Sequence, residues 1–144
     1  MNTPSFQTLT GIYEPSAVQQ LPDGRFLVVE DEKQHPLSLF EIGSDGHVES
    51  HSVERDTDDV LGKLDDLEGL TLDAAGNVYA ITSHSRTGDG DEKKSRNKLA
   101  RFRIEADRIV VPAGVTDLKS RLTATHPVLA AAAAVLDVKH AGGR

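Results

Sequence analysis

The sequence contains no cysteine and no tryptophan, and aromatic residues make up only 4% of its 144 positions. Without cysteine, a disulfide scaffold, a thiolate metal site and a cysteine nucleophile are all excluded. A basic excess is also missing. Lys and Arg total 16 against 23 Asp and Glu, for a formal charge of −7. Nucleic-acid binders concentrate positive charge on one face, so that class is disfavoured. Long apolar runs are absent too. The longest, 128–136, is about half of what spans a bilayer, and five of its residues are alanine. Met1 to Phe6 lacks the basic stretch and apolar run of a secretory leader, so a soluble, cytoplasmic protein is the expectation. Hydrophobic residues at 38% are still too many for a disordered chain.

What the sequence does have is an internal repeat. The segment from Ser16 to Val29, with Leu21-Pro22-Asp23-Gly24-Arg25 at its centre, matches Glu68 to Ile81, with Asp73-Ala74-Ala75-Gly76-Asn77. Gly24 and Gly76 are 52 positions apart, and at that offset Val18 meets Leu70, Phe26 meets Val78 and Val29 meets Ile81. Further on, 37–42 matches 99–104 at an offset of 62, so the second copy carries about ten extra residues between Ser85 and Leu99. Each copy predicts four short strands: 15–21, 25–31, 37–42 and 47–53 in the first, then 67–73, 77–83, 98–104 and 108–113 in the second. Pro-Asp-Gly and Ala-Gly-Asn suit tight hairpins with glycine at a positive φ. Four antiparallel strands in a repeat of 40–50 residues is the pattern of a β-propeller blade. The expected architecture is therefore all-β within one partial domain, 1–144, with blade 1 at 10–55 and blade 2 at 62–115.

A helical insertion is expected at 116–136. Thr116 or Asp117 is positioned to cap a short helix, and Pro127 opens a second that carries the alanines. That alanine helix is expected to pack on the blades. A propeller closes its ring with about four to eight blades, so two blades leave faces and edges uncovered. The expectation is a piece of a longer chain, with 136–144 leading to a further blade. The other possibility is that several copies complete a ring by self-association through open blade edges.

Glu14-Pro15-Ser16-Ala17-Val18, Leu21 to Arg25, Asp65-Asp66-Leu67-Glu68-Gly69-Leu70 and Ser83-His84-Ser85 resemble a bacterial propeller family, domain-of-unknown-function family 3616. That family is similar to phytase-like propellers of presumed esterase activity. The resemblance implies a larger parent in which a further blade completes any shared site.

The chemistry-bearing residues gather at matching strand ends. Asp65, Asp66 and Glu68 form the densest acidic cluster. On an uninterrupted strand Asp66 and Glu68 share a face, and such a pair suits a hard cation, with calcium the metal proposed, or general acid–base work. The structural alternative has these carboxylates capping backbone amides or pairing with Arg86 or Arg96. Glu14 is the repeat equivalent of Asp66, and Asp31 ends the second strand of the first copy. His84 stands between Ser83 and Ser85. Neighbours on a strand face opposite ways, so Ser83 and His84 cannot readily pair, whereas Ser83 and Ser85 share a face. No Gly-x-Ser-x-Gly elbow occurs.

The loop 86–98 contains Asp89-Gly90-Asp91-Glu92, which lacks the full calcium-loop pattern. It reads as a flexible, solvated insertion whose Lys93, Lys94 and Arg96 suit an anion. Candidate ligand residues are thus Glu14, Asp31, Asp66, Glu68, His84, Arg86 and Arg96, with Asp66 and Glu68 for a metal. Two functions fit: hydrolysis of an ester or phosphoester in an acidic, metal-assisted channel, or a non-enzymatic scaffold binding a small-molecule ligand or a protein partner.

Overall fold

The computed structural model describes residues 8–31, 36–55 and 60–136, with side chains through 132. Eight strands form two sheets. The first contains β1 (Pro15–Gln20), β2 (Phe26–Glu30), β3 (Leu37–Ile42) and β4 (Val48–Ser52). The second contains β5 (Leu67–Leu72), β6 (Val78–Thr82), β7 (Leu99–Glu105) and β8 (Arg108–Val115). Each sheet is an antiparallel meander in chain order. The fold is all-β, with two four-stranded blades followed by short helices.

The repeat is reproduced residue by residue. Pro15 pairs with Glu30 as Leu67 pairs with Thr82, both at the offset of 52. Phe26 pairs with Phe40 as Val78 pairs with Phe102, after the offset has grown to 62 in the third strand. Both first strands carry the same register shift, between Pro15 and Ala17 and between Leu67 and Gly69. Gly24 and Gly76 take φ of +94° and +81° in their hairpins, conformations that glycine adopts without a steric penalty.

One core lies between the sheets. Leu27, Val29, Leu37, Leu39 and Val53 of blade 1 meet Val78, Ala80, Ala100, Phe102 and Ile109 of blade 2. Leu61 and Leu64 of the connection and Leu67 at the start of β5 are almost fully buried in it. At the outer edge the sheets are joined again. Arg25 donates to Asp107, and His51 Nε2 lies 3.3 Å from the other oxygen of that carboxylate. Across the same junction the Glu54 amide donates to the Asp107 carbonyl at 2.8 Å and the Ile109 amide to the Glu54 carbonyl at 3.1 Å.

After β8 come α1 (Leu118–Thr125) and α2 (Pro127–Leu136). Asp117 occupies the N-cap position, but its carboxylate makes no cap bond. It accepts instead from Arg121 Nε at 2.8 Å. The alanine helix forms, and its residues 127–132 are exposed, with Leu129 lining a groove beside Ile81 and His84 of blade 2. An alanine-rich helix has the propensity to form without the large side chains that would hold it down. No helix among the described residues is long and apolar enough to cross a membrane. The segment 137–144, expected to lead towards a further blade, lies outside the described residues.

Candidate functional site

The polar residues meet where β5 begins and β6 ends. Asp66, just before β5, has φ of +62°, and His84, just after β6, has φ of +54°. Such left-handed conformations are strained for residues with a Cβ and persist only where the surroundings fix them. Here Ser83 donates its amide to the Asp66 carbonyl at 2.8 Å, and His84 donates its amide to the Arg96 carbonyl at 2.8 Å.

Asp66 Oδ2 is the hub. Ser83 Oγ donates to it at 2.6 Å and Ser85 Oγ at 3.0 Å. The Arg96 guanidinium lies 3.2 Å from the same oxygen. The Ser83 and Ser85 hydroxyls are 2.8 Å apart, brought together across the left-handed His84 and not by strand alternation, since β6 ends at Thr82. The Ser83 hydrogen bond, helped by Ser85 and the Arg96 charge, holds Asp66 below the usual carboxylate range despite partial burial and the neighbouring Asp65 charge.

Asp65 is more deeply placed, with its side chain wholly buried and Lys93 Nζ at 2.6 Å. Ser95 Oγ donates to it at 3.3 Å, and its amide donates to the Ser95 carbonyl. Burial pushes the carboxyl up. The hydrogen bond and charge of Lys93, with Lys63 and Arg96, outweigh that and leave it below its ordinary value.

The cations that fit these acids come from the ten extra residues of the second copy. The insertion, expected from its composition to be a flexible solvated loop, is internally hydrogen-bonded. Arg86 and Glu92 form a β-bridge, Thr87 and Asp91 close a tight turn, and Lys94–Arg96 make one turn of 3-10 helix. Lys93 and Arg96 fold back on Asp65 and Asp66, so they face the acids and not an external anion. Arg86 donates to the Gly90 carbonyl at 3.5 Å within the same loop. Asp89, Asp91 and Glu92 are exposed.

The structure does not bring Glu68 to Asp66. The expectation of one shared face rested on an uninterrupted strand. The register shift at Leu67/Gly69 and the left-handed Asp66 break that alternation, and Glu68 is exposed. Among the described residues no three His, Asp or Glu side chains gather to hold a metal ion. The donor chemistry points the same way, because a calcium ion on Asp66 would sit against the Arg96 guanidinium. The residues present do not fit that metal.

In blade 1, Glu14 is exposed and its carbonyl accepts the Asp31 amide at 3.1 Å. The buried acid there is Glu30, which takes the Ser38 hydroxyl at 2.5 Å and the Tyr13 amide at 2.8 Å. Sequence reasoning did not single out Glu30. Its signal was positional: it is the repeat equivalent of the buried Thr82.

Five buried polar atoms of the described residues lack a hydrogen-bond partner. Four of them lie where the insertion meets blade 2: Asp65 Oδ1, His84 Nε2, Arg96 Nε and Asn97 Oδ1. His84 Nδ1 is 2.8 Å from the Thr82 carbonyl. A carbonyl only accepts, so Nδ1 carries a proton. The fifth atom is Asp31 Oδ1.

No protein-family model matches the chain, and no curated protein sequence matches it. Among solved structures, it is similar to the holo form of the pyranose dehydrogenase PQQ domain from Coprinopsis cinerea, with a TM-score of 0.47 and 16% identity. The match covers 74% of this chain and 22% of that one, so the chain spans about a fifth of that protein's length.

Proposed function

We propose that this protein is a propeller-type binding scaffold, and that the seam between the insertion and the β5–β6 end is its ligand site. The observation that carries the reading is the set of orphaned atoms there. Buried polar groups are nearly always paired, and an unpaired one costs about 1–3 kcal/mol. Two acceptors (Asp65 Oδ1 and Asn97 Oδ1) and the His84 Nε2 ring nitrogen stand beside Arg96 Nε, which is 3.7 Å from Asp65 Oδ2, beyond hydrogen-bond reach. A ligand that offers O–H or N–H groups to such a set fits the seam better than a bare cation does. The kinship with domain-of-unknown-function family 3616 and a cytoplasmic location belong to the same proposal.

Hydrolysis of an ester or phosphoester is the second reading. One contact favours it: Ser83 Oγ lies 2.6 Å from Asp66 Oδ2, within reach for a carboxylate to take the hydroxyl proton. Against it, Asp66 is already held by Ser85 and Arg96.

The two readings separate in three measurements on the whole chain. Amide and imidazole NMR shifts are followed on adding inositol and ethanolamine, which are rich in O–H and N–H donors. Calorimetry with Ca²⁺ and hydrolysis of p-nitrophenyl acetate and phosphate complete the set. The scaffold reading expects shifts at His84 and Asn97, no calcium heat, and hydrolysis equal to that of the Ser83→Ala variant. Hydrolysis that Ser83→Ala abolishes, or calcium heat that Asp66→Asn abolishes, would replace it with the catalytic reading.

A further inference from the structure

Blade 2 departs from the repeat on its outward face. Tyr79 and Ile81 of β6 alternate with the buried Val78, Ala80 and Thr82, and Leu99 and Arg101 of β7 alternate with the buried Ala100 and Phe102. These four therefore share the side that faces away from the core. Their equivalents in blade 1, at offsets of 52 and 62, are Leu27, Val29, Leu37 and Leu39, all buried between the sheets. Blade 1 carries an apolar face at these positions. Blade 2 has replaced half of it, with Tyr79 in the place of Leu27 and Arg101 in the place of Leu39. The outward face is thus apolar at one end and cationic at the other, unlike the internal interface.

The apolar end is a groove. Ile81 lines it with Leu118 and Leu122 of α1 and Leu129 of α2, and its volume is about 410 Å³. Leu118 and Leu122 are four residues apart and so lie on one face of α1. Ile81, Leu122 and Leu129 remain 37%, 43% and 44% exposed, so none of the described side chains fills the groove. Sites for small molecules measure about 300–1,000 Å³ and are mostly apolar, with a few polar groups that fix orientation. The cationic end lies next to it. Ile81 pairs with Leu99 and Tyr79 with Arg101, so the two pairs are one step of about 7 Å apart along the strands. The neighbouring polar groups are already engaged. The Tyr79 hydroxyl donates to Asp73, Arg103 has Glu105 at 3.9 Å, and Lys119, beside the groove, has Glu92 at 3.4 Å. Arg101 is exposed, and its guanidinium has no carboxylate partner among the described residues.

We infer that this face binds an aliphatic monocarboxylate, its chain in the groove between β6, α1 and α2 and its carboxylate on Arg101. Each half of the ligand is argued from one end of the face. An alkyl chain gains by leaving water for Ile81, Leu118, Leu122 and Leu129. A planar carboxylate matches the fork of a guanidinium, which holds it through two parallel N–H···O bonds. A neutral ligand would leave Arg101 without a partner, and a short anion would leave the groove empty. The net charge of −7 gives anions no long-range attraction, so recognition is local to this face. The inference does not rest on the ligand seam. Ser83 and His84 line one end of the groove, so its test is read from side chains away from them.

Methyl NMR of the whole chain follows Ile81, Leu118, Leu122 and Leu129 on adding octanoate, 1-octanol or acetate. Octanoate should shift these resonances saturably, and acetate should not. With the same chain length and no charge, 1-octanol should bind about two- to tenfold more weakly. Arg101→Gln should weaken octanoate by the same factor and leave 1-octanol unchanged. Leu122→Asp should abolish binding of both. Arg101 and Leu122 are exposed, so far-UV circular dichroism of each variant should match the parent. Should Leu122→Asp disturb folding, Leu129→Ser on the exposed α2 gives the same groove test. No saturable shift with octanoate, acetate binding as tightly as octanoate, or equal affinity for octanoate and 1-octanol would each overturn the inference. So would octanoate affinity that either Arg101→Gln or the folded groove variant leaves unchanged. Shifts at Asn97 on adding inositol report the seam separately, so each site can fail without the other.

Discussion

At the scale of single residues, the second blade solves a charge problem with its own insertion. Asp65 and Asp66 are adjacent carboxylates, one of them wholly buried, and each has a cation supplied by the loop. The sign of the pH dependence follows. Both carboxyls titrate below the ordinary value of 3.8 in the folded protein. The folded state therefore favours their charged forms, and that stabilisation is fully present above the unfolded-state value. It is lost as pH falls through the lowered folded-state values. Asp66→Asn should remove the ion pair with Arg96 and weaken the serine bonds, destabilising the chain by about 1–3 kcal/mol at neutral pH. Its urea midpoint should also fall less steeply than the parent's between pH 5 and about pH 2. Equal acid sensitivity in both proteins would show that Asp66 is not among the groups responsible.

At the scale of elements, the hairpins carry the register. Asp73 accepts from the amides of Ala75 and Asn77 and from the Asn77 side chain, closing the turn around Gly76 at φ of +81°. A Cβ at Gly76 would meet nothing within 4 Å, so any penalty for Gly76→Val is one of backbone conformation alone. We expect a loss of about 1–2 kcal/mol, read as a lower urea midpoint with an unchanged m-value. These turns and the alternation of Val, Leu and Phe are legible in the sequence, which is why both blades and their register follow from the repeat alone. The site is less so. Strand periodicity puts Glu68 beside Asp66, but a bulge and a left-handed residue leave no mark in a pattern of polar and apolar letters. Nor does composition reveal that Lys93 and Arg96 turn inward onto Asp65 and Asp66. The same holds for the alanine helix: propensity predicts its existence, whereas the exposure of residues 127–132 depends on what lies opposite.

At the scale of the molecule, two repeats share one hydrophobic core, and neither sheet has an apolar interior of its own. Leu27, Val29, Leu37 and Leu39 share one buried cluster with Val78, Ala80 and Phe102 of the other blade and with Leu61 and Leu64 between them. The blades should therefore unfold together. Chemical denaturation followed by circular dichroism and by methyl NMR resonances of each blade should give coincident transitions. A separate, earlier transition for either blade would show that the shared core does not couple them. The Arg25–Asp107–His51 junction ties the outer edges across the same divide.

The phenol of Tyr79 has a photophysical consequence. The sequence has two tyrosines and no tryptophan. Tyr13 is 75% exposed, whereas the Tyr79 hydroxyl donates to Asp73 Oδ2 at 3.2 Å. A phenol hydrogen-bonded to a carboxylate is quenched by proton transfer in its excited state, so Tyr13 should dominate the native emission. Tyr79 shares its side of β6 with Ile81. Its weak emission becomes an intrinsic, label-free light source for anything that settles on that face and disturbs the bond to Asp73.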